Sequence, residues 1–220
     1  MYATLFDFDG VLVDSEPVHL AAFNDVLSSR GVSIDEKEYA ARYYSLDDAG
    51  VFRDVLARGR STLDEEQVRA LVAAKAPRFM ERFEAGFRVF PGAPELVLRR
   101  AERGPVGIVS SALVAEIDFA LQRMGVRDAV RFIIAGGDAT ASKPDPAPYR
   151  AALAALSRLG HNEGVVAVED SLGGVASARG AGVACVAVAH AYSARELEDA
   201  GAQRVVKSLA ELTDALLEES

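Results

Sequence analysis

The stretch Leu5-Phe6-Asp7-Phe8-Asp9-Gly10 ends an apolar N-terminal run with two carboxylates one residue apart. Phe6 and Phe8 favour a β-strand. Side chains two apart in an extended strand project to the same side, so Asp7 and Asp9 are expected to address one small volume where the strand gives way to Gly10. Neighbouring carboxylates repel unless a positive group joins them. A divalent cation held through oxygen would stabilise both and would draw a phosphate towards them. A calcium-loop reading that starts at Leu5 also places Asp7, Asp9, Gly10 and Glu16 suitably. It fails because Leu5 has no ligating side chain and residues 3 to 6 are too few for the incoming helix.

Working outward, Ser15 or Glu16 can cap a helix with Pro17 at its first position and a stop at Gly31. Residues 17 to 84 read almost entirely helical. Within them Val68, Leu71, Val72, Lys75, Phe79 and Phe83 recur at the helical period, with only Lys75 polar. Pro91, Gly92 and Pro94 break the pattern. Beyond them come the short apolar runs Val106 to Val109, Phe132 to Ala135, Val165 to Val168 and Ala184 to Val188, separated by helical stretches such as 113 to 123 and 148 to 159. That alternation predicts an α/β fold, a doubly wound parallel sheet with helices on both faces. The first strand finds no partner within residues 17 to 84 and is expected to join the later set. The expected organisation is an α/β catalytic core of residues 1–14 and 87–220 interrupted by an inserted α-helical cap domain of residues 15–86.

Composition narrows the function. The chain has 220 residues, half of them apolar, which is enough for a sizeable core. Its net charge of −9 argues against nucleic acid or an anionic membrane as main partner, and no basic run offsets it. Cys185 is the only cysteine, so no intrachain disulfide can form, and its apolar surroundings make it a packing residue. The N-terminus lacks a basic region followed by an apolar stretch, and no segment reaches about 18 consecutive apolar residues. A cytoplasmic monomer is the expectation.

Ligands of parallel α/β sheets sit at the carboxyl ends of the strands. Just past the predicted strands stand Asp7 and Asp9, then Ser110, then Lys143 a little further on, then Glu169 and Asp170. Acids for a metal and a nucleophile, a hydroxyl donor and a cation for phosphate oxygens together suit phosphoryl transfer. Each has a plainer explanation when taken singly. Ser110 or Ser111 could cap a helix, Asp170 and Ser171 also stand at a helix start, and a lysine in Ser142-Lys143-Pro144-Asp145-Pro146 could simply be solvated.

These residues carry a family resemblance. Phe6-Asp7-Phe8-Asp9-Gly10-Val11 with Asp14-Ser15-Glu16, then Ile108-Val109-Ser110-Ser111, Ser142-Lys143-Pro144, and Val168-Glu169-Asp170-Ser171 followed by Gly173-Gly174 and Ala181-Gly182 resemble the motifs of haloacid dehalogenase-like (HAD) phosphatases. The subfamily resembled is that of β-phosphoglucomutase and phosphoglycolate phosphatase. The resemblance implies a Rossmann-like core in which Asp7 attacks phosphorus to give an aspartyl-phosphate, while Asp9 protonates the leaving oxygen and later activates water. It further implies that Ser110 and Lys143 bind the phosphoryl group. Mg2+ would be held by Asp7, Asp170 and the backbone carbonyl of Asp9, with Glu169 as a further ligand or supporting acid.

Within the family, Asp9 favours phosphate over halide, because a departing halide needs no proton. The expected activity is magnesium-dependent hydrolysis of a small phosphorylated metabolite, a sugar phosphate or a phosphoglycolate-like compound. The alternative is a phosphohexomutase of the β-phosphoglucomutase type, whose cap needs a positive group for a distal phosphate. The corresponding turn, Tyr43-Tyr44-Ser45-Leu46-Asp47-Asp48, lacks the family's glycine and arginine, although Arg42 and Arg53 flank it. Ser111, His19, Arg42, Tyr43 and Tyr44 are candidates for substrate binding. Internal packing of the tyrosines and a satisfied helical His19 are the plainer alternatives. A phosphorylatable receiver domain fits less well, because its acid pair comes first in the chain and here Glu169-Asp170 comes last.

Overall fold

A computed structural model describes residues 1–43, 46–58, 64–162 and 164–219. Along the chain run β1 (Ala3–Phe6), β2 (Val13–Asp14), α1 (Glu16–Ser28), α2 (Glu36–Arg42), α3 (Asp48–Arg58), α4 (Glu65–Ala85), β3 (Arg88–Val89), α5 (Ala93–Arg103) and β4 (Val106–Val109). They are followed by α6 (Val114–Arg123), β5 (Val130–Ile134), α7 (Ala147–Arg158), β6 (Val165–Glu169), α8 (Leu172–Gly180), β7 (Ala184–Val188), α9 (Ala194–Ala200), β8 (Arg204–Val206) and α10 (Asp214–Glu218). The chain divides into two compact units, Met1–Asp14 with Arg88–Ser220, and Ser15–Phe87.

In the first unit, six strands among the described residues form one sheet in the order β5-β4-β1-β6-β7-β8, every pairing parallel. The fold is the doubly wound α/β class expected from the alternation of strands and helices. All four residues of β1 are buried, because both faces of this central strand are covered. Ala3 and Leu5 join a cluster with Tyr149 and Ala152 of α7 and Val175 and Ala178 of α8. Thr4 points the other way, to Arg100 of α5. Burying each large apolar side chain contributes about 1.5–3 kcal/mol. From β1 the later chain winds through β4 and β5 in one direction and then through β6, β7 and β8 in the other. The sense of winding reverses at β1, which opens a crevice at the carboxyl end of that strand. Register sets the edge: Phe6 lies opposite both Ile108 and Val168, so the residues that follow leave the sheet side by side.

Three local expectations need correction. β1 ends at Phe6 and the chain bends at Phe8, so the strand itself does not extend through Asp9. Ser15 stands before α1 without a side-chain capping bond, and Pro17 in the first turn starts the helix instead. The sequence reading also missed β8 and the antiparallel pairing of β2 with β3, where Asp14 accepts from Arg88 at 3.0 Å.

In the second unit the continuous helical run resolves, among the described residues, into four helices. Phe23, Tyr39, Tyr43, Phe52, Leu56 and Leu71 belong to its core. α4 is fixed at its start by a reciprocal cap: Gln67 N–H donates to Asp64 at 2.8 Å, and Asp64 N–H to the Gln67 side chain at 3.1 Å. Its stripe of Val68, Leu71, Lys75, Phe79 and Phe83 is buried. No helix among the described residues is long and apolar enough to cross a membrane.

The five-residue α10 is too short to stand alone and is clamped to the core by Arg100. That guanidinium is fully buried and donates to Thr4 Oγ1, Asp214 Oδ1 and Glu218 Oε1, each at 2.9 Å. Arg103 adds a second contact to Glu218 at 3.0 Å. Hydrogen bonds from Arg103 and then Arg100 hold the Glu218 carboxyl down at about 2, against an ordinary value of 4.5. A depressed folded-state pKa stabilises above the unfolded value, and the contribution disappears as pH falls through the folded one. Glu218→Gln is therefore expected to be less stable than the parent protein at neutral pH. The gap should close as pH falls from 4.5 to about 2, read by denaturant unfolding at a series of pH values; a gap independent of pH would contradict this.

Candidate active site

The carboxyl edge of the sheet gathers the functional side chains around one ammonium. Lys143, on the loop before α7, donates to Asp7 Oδ1 at 2.8 Å, to Glu169 Oε1 at 2.6 Å and to the Val109 carbonyl at 2.8 Å. Three acceptors match its three protons. Burial alone would lower the Lys143 pKa, but the Asp7 and Glu169 carboxylates more than offset this and raise it, so the group stays charged. The expectation of a solvated loop lysine is thereby excluded.

Each acceptor is positioned by its strand. Asp7 follows β1, and its N–H continues the ladder to Val168 O at 2.9 Å. Val109 ends β4, and Glu169 ends β6 with no exposed surface. Glu169 Oε1 also accepts from the buried Tyr149 hydroxyl at 2.7 Å. A Cβ on Gly174 would lie 1.9 Å from Glu169 Oε2, so only glycine lets the first turn of α8 pack so close to this carboxylate. Ser171, not Asp170, caps α8, accepting from Gly174 N–H at 3.0 Å.

Asp170 completes the acid set. It meets the turn after β1 at Gly10, which has φ +77, where a Cβ would sit 2.0 Å from Asp170 Oδ2. Asp7, Glu169 and Asp170 each offer a carboxylate oxygen, all within 4.8 Å of one another. Burial first, and then the neighbouring Glu169 charge, push the Asp7 carboxyl up to about 7. Burial and then the Asp7 charge raise Asp170 well above the ordinary range. Three carboxylates face one ammonium, so the cluster as a whole favours additional positive charge. Its donors are hard oxygens, which fit a magnesium-type cation and not a soft metal.

The remaining candidates scatter more widely. Ser110 is buried at the end of β4, and its Oγ accepts from Ala112 N–H at 3.0 Å; α6 begins later, after Leu113, so neither Ser110 nor the exposed Ser111 is its cap. Asp9 is half-buried just past the bend, and its charge acts on both Asp7 and Asp170. In the helical unit, Tyr43 is a packing residue with its hydroxyl donating to Asp54 at 2.9 Å, which corrects its assignment to substrate binding. Arg42 pairs with the same Asp54 at 3.3 Å. Tyr44 lies outside the described residues. His19 stacks on Phe79 at 4.3 Å and places Nδ1 2.8 Å from the Lys75 ammonium. Burial, then Lys75, lowers its pKa to about 3, so at neutral pH Nδ1 accepts and Nε2 carries the proton. Lys75 itself is buried against the Phe23 ring at 4.2 Å and reaches Asp48 at 2.5 Å. Sequence reasoning missed Tyr149, whose hydroxyl is hidden in an apolar helix stripe. It noticed Lys75 only as a polar residue in a core stripe, and that mismatch was the available signal.

Comparison with known proteins bears on this arrangement. The profile of the haloacid dehalogenase-like hydrolase family matches residues 4–188. The chain is 32% identical over 218 residues to protein CbbY of Cereibacter sphaeroides, covering 96% of this chain and 93% of that protein. It is 32% identical over 222 residues to phosphoglycolate phosphatase of Rhodospirillum rubrum, covering 97% and 90%. A crystal structure of a CbbY mutant from Rhodobacter sphaeroides in complex with xylulose-(1,5)bisphosphate superimposes with a TM-score of 0.79 at 29% identity, covering 99% of both chains. With the profile spanning the whole ordered set of site motifs from Asp7 to Asp170, the chain belongs to the haloacid dehalogenase-like hydrolase family.

Proposed function

We propose that this hydrolase is a phosphatase acting on a small phosphorylated metabolite, a sugar phosphate or a phosphoglycolate-like compound, through an aspartyl-phosphate on Asp7. The observation that carries the reading is the single ammonium of Lys143 shared by Asp7 and Glu169. It presets a carboxylate nucleophile beside a fixed positive charge that would also neutralise an incoming phosphate. Relatives named as phosphatases at about one-third identity over nearly the whole chain support the same class. In this reading residues 1–14 and 87–220 are the catalytic core and residues 15–86 the helical cap domain.

The chemistry follows in two displacements. An Asp7 oxygen forms a bond to phosphorus while the bond from phosphorus to the substrate oxygen breaks, and Asp9 gives that oxygen a proton. Water then attacks the same phosphorus as Asp9 takes one of its protons. Inorganic phosphate leaves and Asp7 is restored. Ser110 and Lys143 hold phosphoryl oxygens in both steps. Mg2+ would be held by Asp7 and Asp170, with Glu169 steadying Lys143 beside them. When bound, the cation would offset charge on the phosphoryl oxygens. A phosphohexomutase would need unopposed positive charge for a second phosphate, yet Arg42 is paired with Asp54 at 3.3 Å and Arg53 with Glu65 at 2.7 Å.

Two outcomes are expected. Phosphate release from a panel of sugar phosphates, phosphoglycolate and other alkyl phosphomonoesters should require magnesium, stop with EDTA, and fall by about a thousandfold or more in Asp7→Asn. Release that survives this substitution would place the nucleophile elsewhere. Lys143→Met leaves two buried carboxylates without their cation and should cost about 3–5 kcal/mol of stability, together with turnover. An unchanged denaturation midpoint would show that Lys143 does not hold the cluster together.

A further inference from the structure

We propose that His190 is a positioning residue for the turn that carries Asp9, a role that rests on the phosphatase reading only for its kinetic consequence. His190 lies just past the end of β7, on a loop that contributes nothing to the carboxylate cluster. Its Nδ1 sits 2.7 Å from the Gly10 carbonyl oxygen. A carbonyl can only accept, so Nδ1 carries the proton and donates. The imidazole ring stacks on Phe90 with centroids 4.1 Å apart and planes 11° from parallel.

The consequence comes from the backbone around Gly10. Its N–H donates to Val13 O at 2.8 Å, while Leu12 and Val13 N–H both donate to Phe8 O, at 2.9 and 3.1 Å. Phe90 N–H in turn donates to Leu12 O at 3.0 Å. The turn is therefore tied down on every side, and the Gly10 carbonyl is held by a side chain distant in sequence. With the peptide groups on both sides of Gly10 fixed, its φ of +77 is fixed too. That torsion sets the direction in which the chain leaves Asp9 and the close approach of Gly10 to Asp170. His190, though exposed, thus lies between the turn it restrains and the aromatic ring that holds its own plane.

Loss of this donor should loosen the placement of the proton donor without removing any group that touches phosphate. The effect is read best through the leaving group. In a two-step reaction kcat/KM reports the steps up to departure of the first product. An alkyl oxygen needs the Asp9 proton, whereas p-nitrophenolate leaves without one. His190→Ala and His190→Phe, the latter keeping the stack, are expected to lower kcat/KM about tenfold or more for the best alkyl phosphomonoester of the panel, and less than about threefold for p-nitrophenyl phosphate. His190→Asn, whose amide nitrogen lies where Nδ1 was, should recover most of the loss. Equal losses on both substrates, no loss on either, or no rescue by His190→Asn would overturn the proposal. Amide exchange of Gly10, Leu12 and Val13 provides a readout that needs no turnover. It should accelerate about tenfold in His190→Ala and return towards the parent rate in His190→Asn. Unchanged exchange would overturn the positioning role whatever the activity, while a parent protein inactive on both substrates would overturn the phosphatase reading and leave exchange to decide the positioning.

Discussion

The contact of the Lys143 ammonium with three oxygens is the constraint around which the core's chemistry is arranged. Its partners come from the ends of β1, β4 and β6, the three strands at the centre of the sheet. Parallel strands deliver their carboxyl ends to one edge, and register makes those ends level, but neither supplies a reason for acids to crowd there. The ammonium does. It allows Asp7 and Glu169 to be buried side by side, at a cost in desolvation that no surface pair would bear. Around it the supporting contacts become intelligible: Tyr149 takes up a further lone pair on Glu169, Gly174 admits the carboxylate against α8, and Gly10 admits Asp170 against the turn. The result is a site with charge left over on the acidic side, which favours an added positive charge.

Much of this was legible because the signals were compositional. The strands of the core are short runs of Val, Ile and Ala bounded by turn residues; the acids and the hydroxyl stand directly after them and the lysine a little further along the chain. Where reading failed, the cause was geometric. The bend at Phe8 takes Asp9 out of the alternation that a longer strand would have imposed. β8 has three residues and opens with an arginine, and the β2–β3 ribbon has two residues per strand, so neither carries a readable period. Tyr149 counts as apolar in any helix stripe, and its hydroxyl matters only because α7 packs it against a strand end. His190 stands between two alanines in a short loop, where sequence offers only its place after a strand.

The helical unit teaches a different lesson. Its apolar stripes predicted helices and a buried face, and the same stripe hides an ammonium that is 2% exposed. Lys75 survives there because Phe23 offers a ring face and His19 and Asp48 offer acceptors. Periodicity could mark the position as buried but could not name its partners, since Asp48 lies on α3 and His19 on α1. Tyr43 shows the reverse. An aromatic pair beside an arginine looked like a recognition surface, and Tyr43 fills the core.

The position of β1 in the sheet has a consequence for how the molecule is made. The strand occupies the first few residues of the chain, but its neighbours β4 and β6 begin at Val106 and Val165. During vectorial synthesis the apolar segment of β1 leaves the ribosome long before either partner exists, whereas the helical unit from Ser15 to Phe87 is contiguous in sequence. The nascent chain thus holds an unpaired strand until β4 and then β6 have been translated. Non-local pairing of this kind is slow, and it leaves the apolar first strand exposed in the interval.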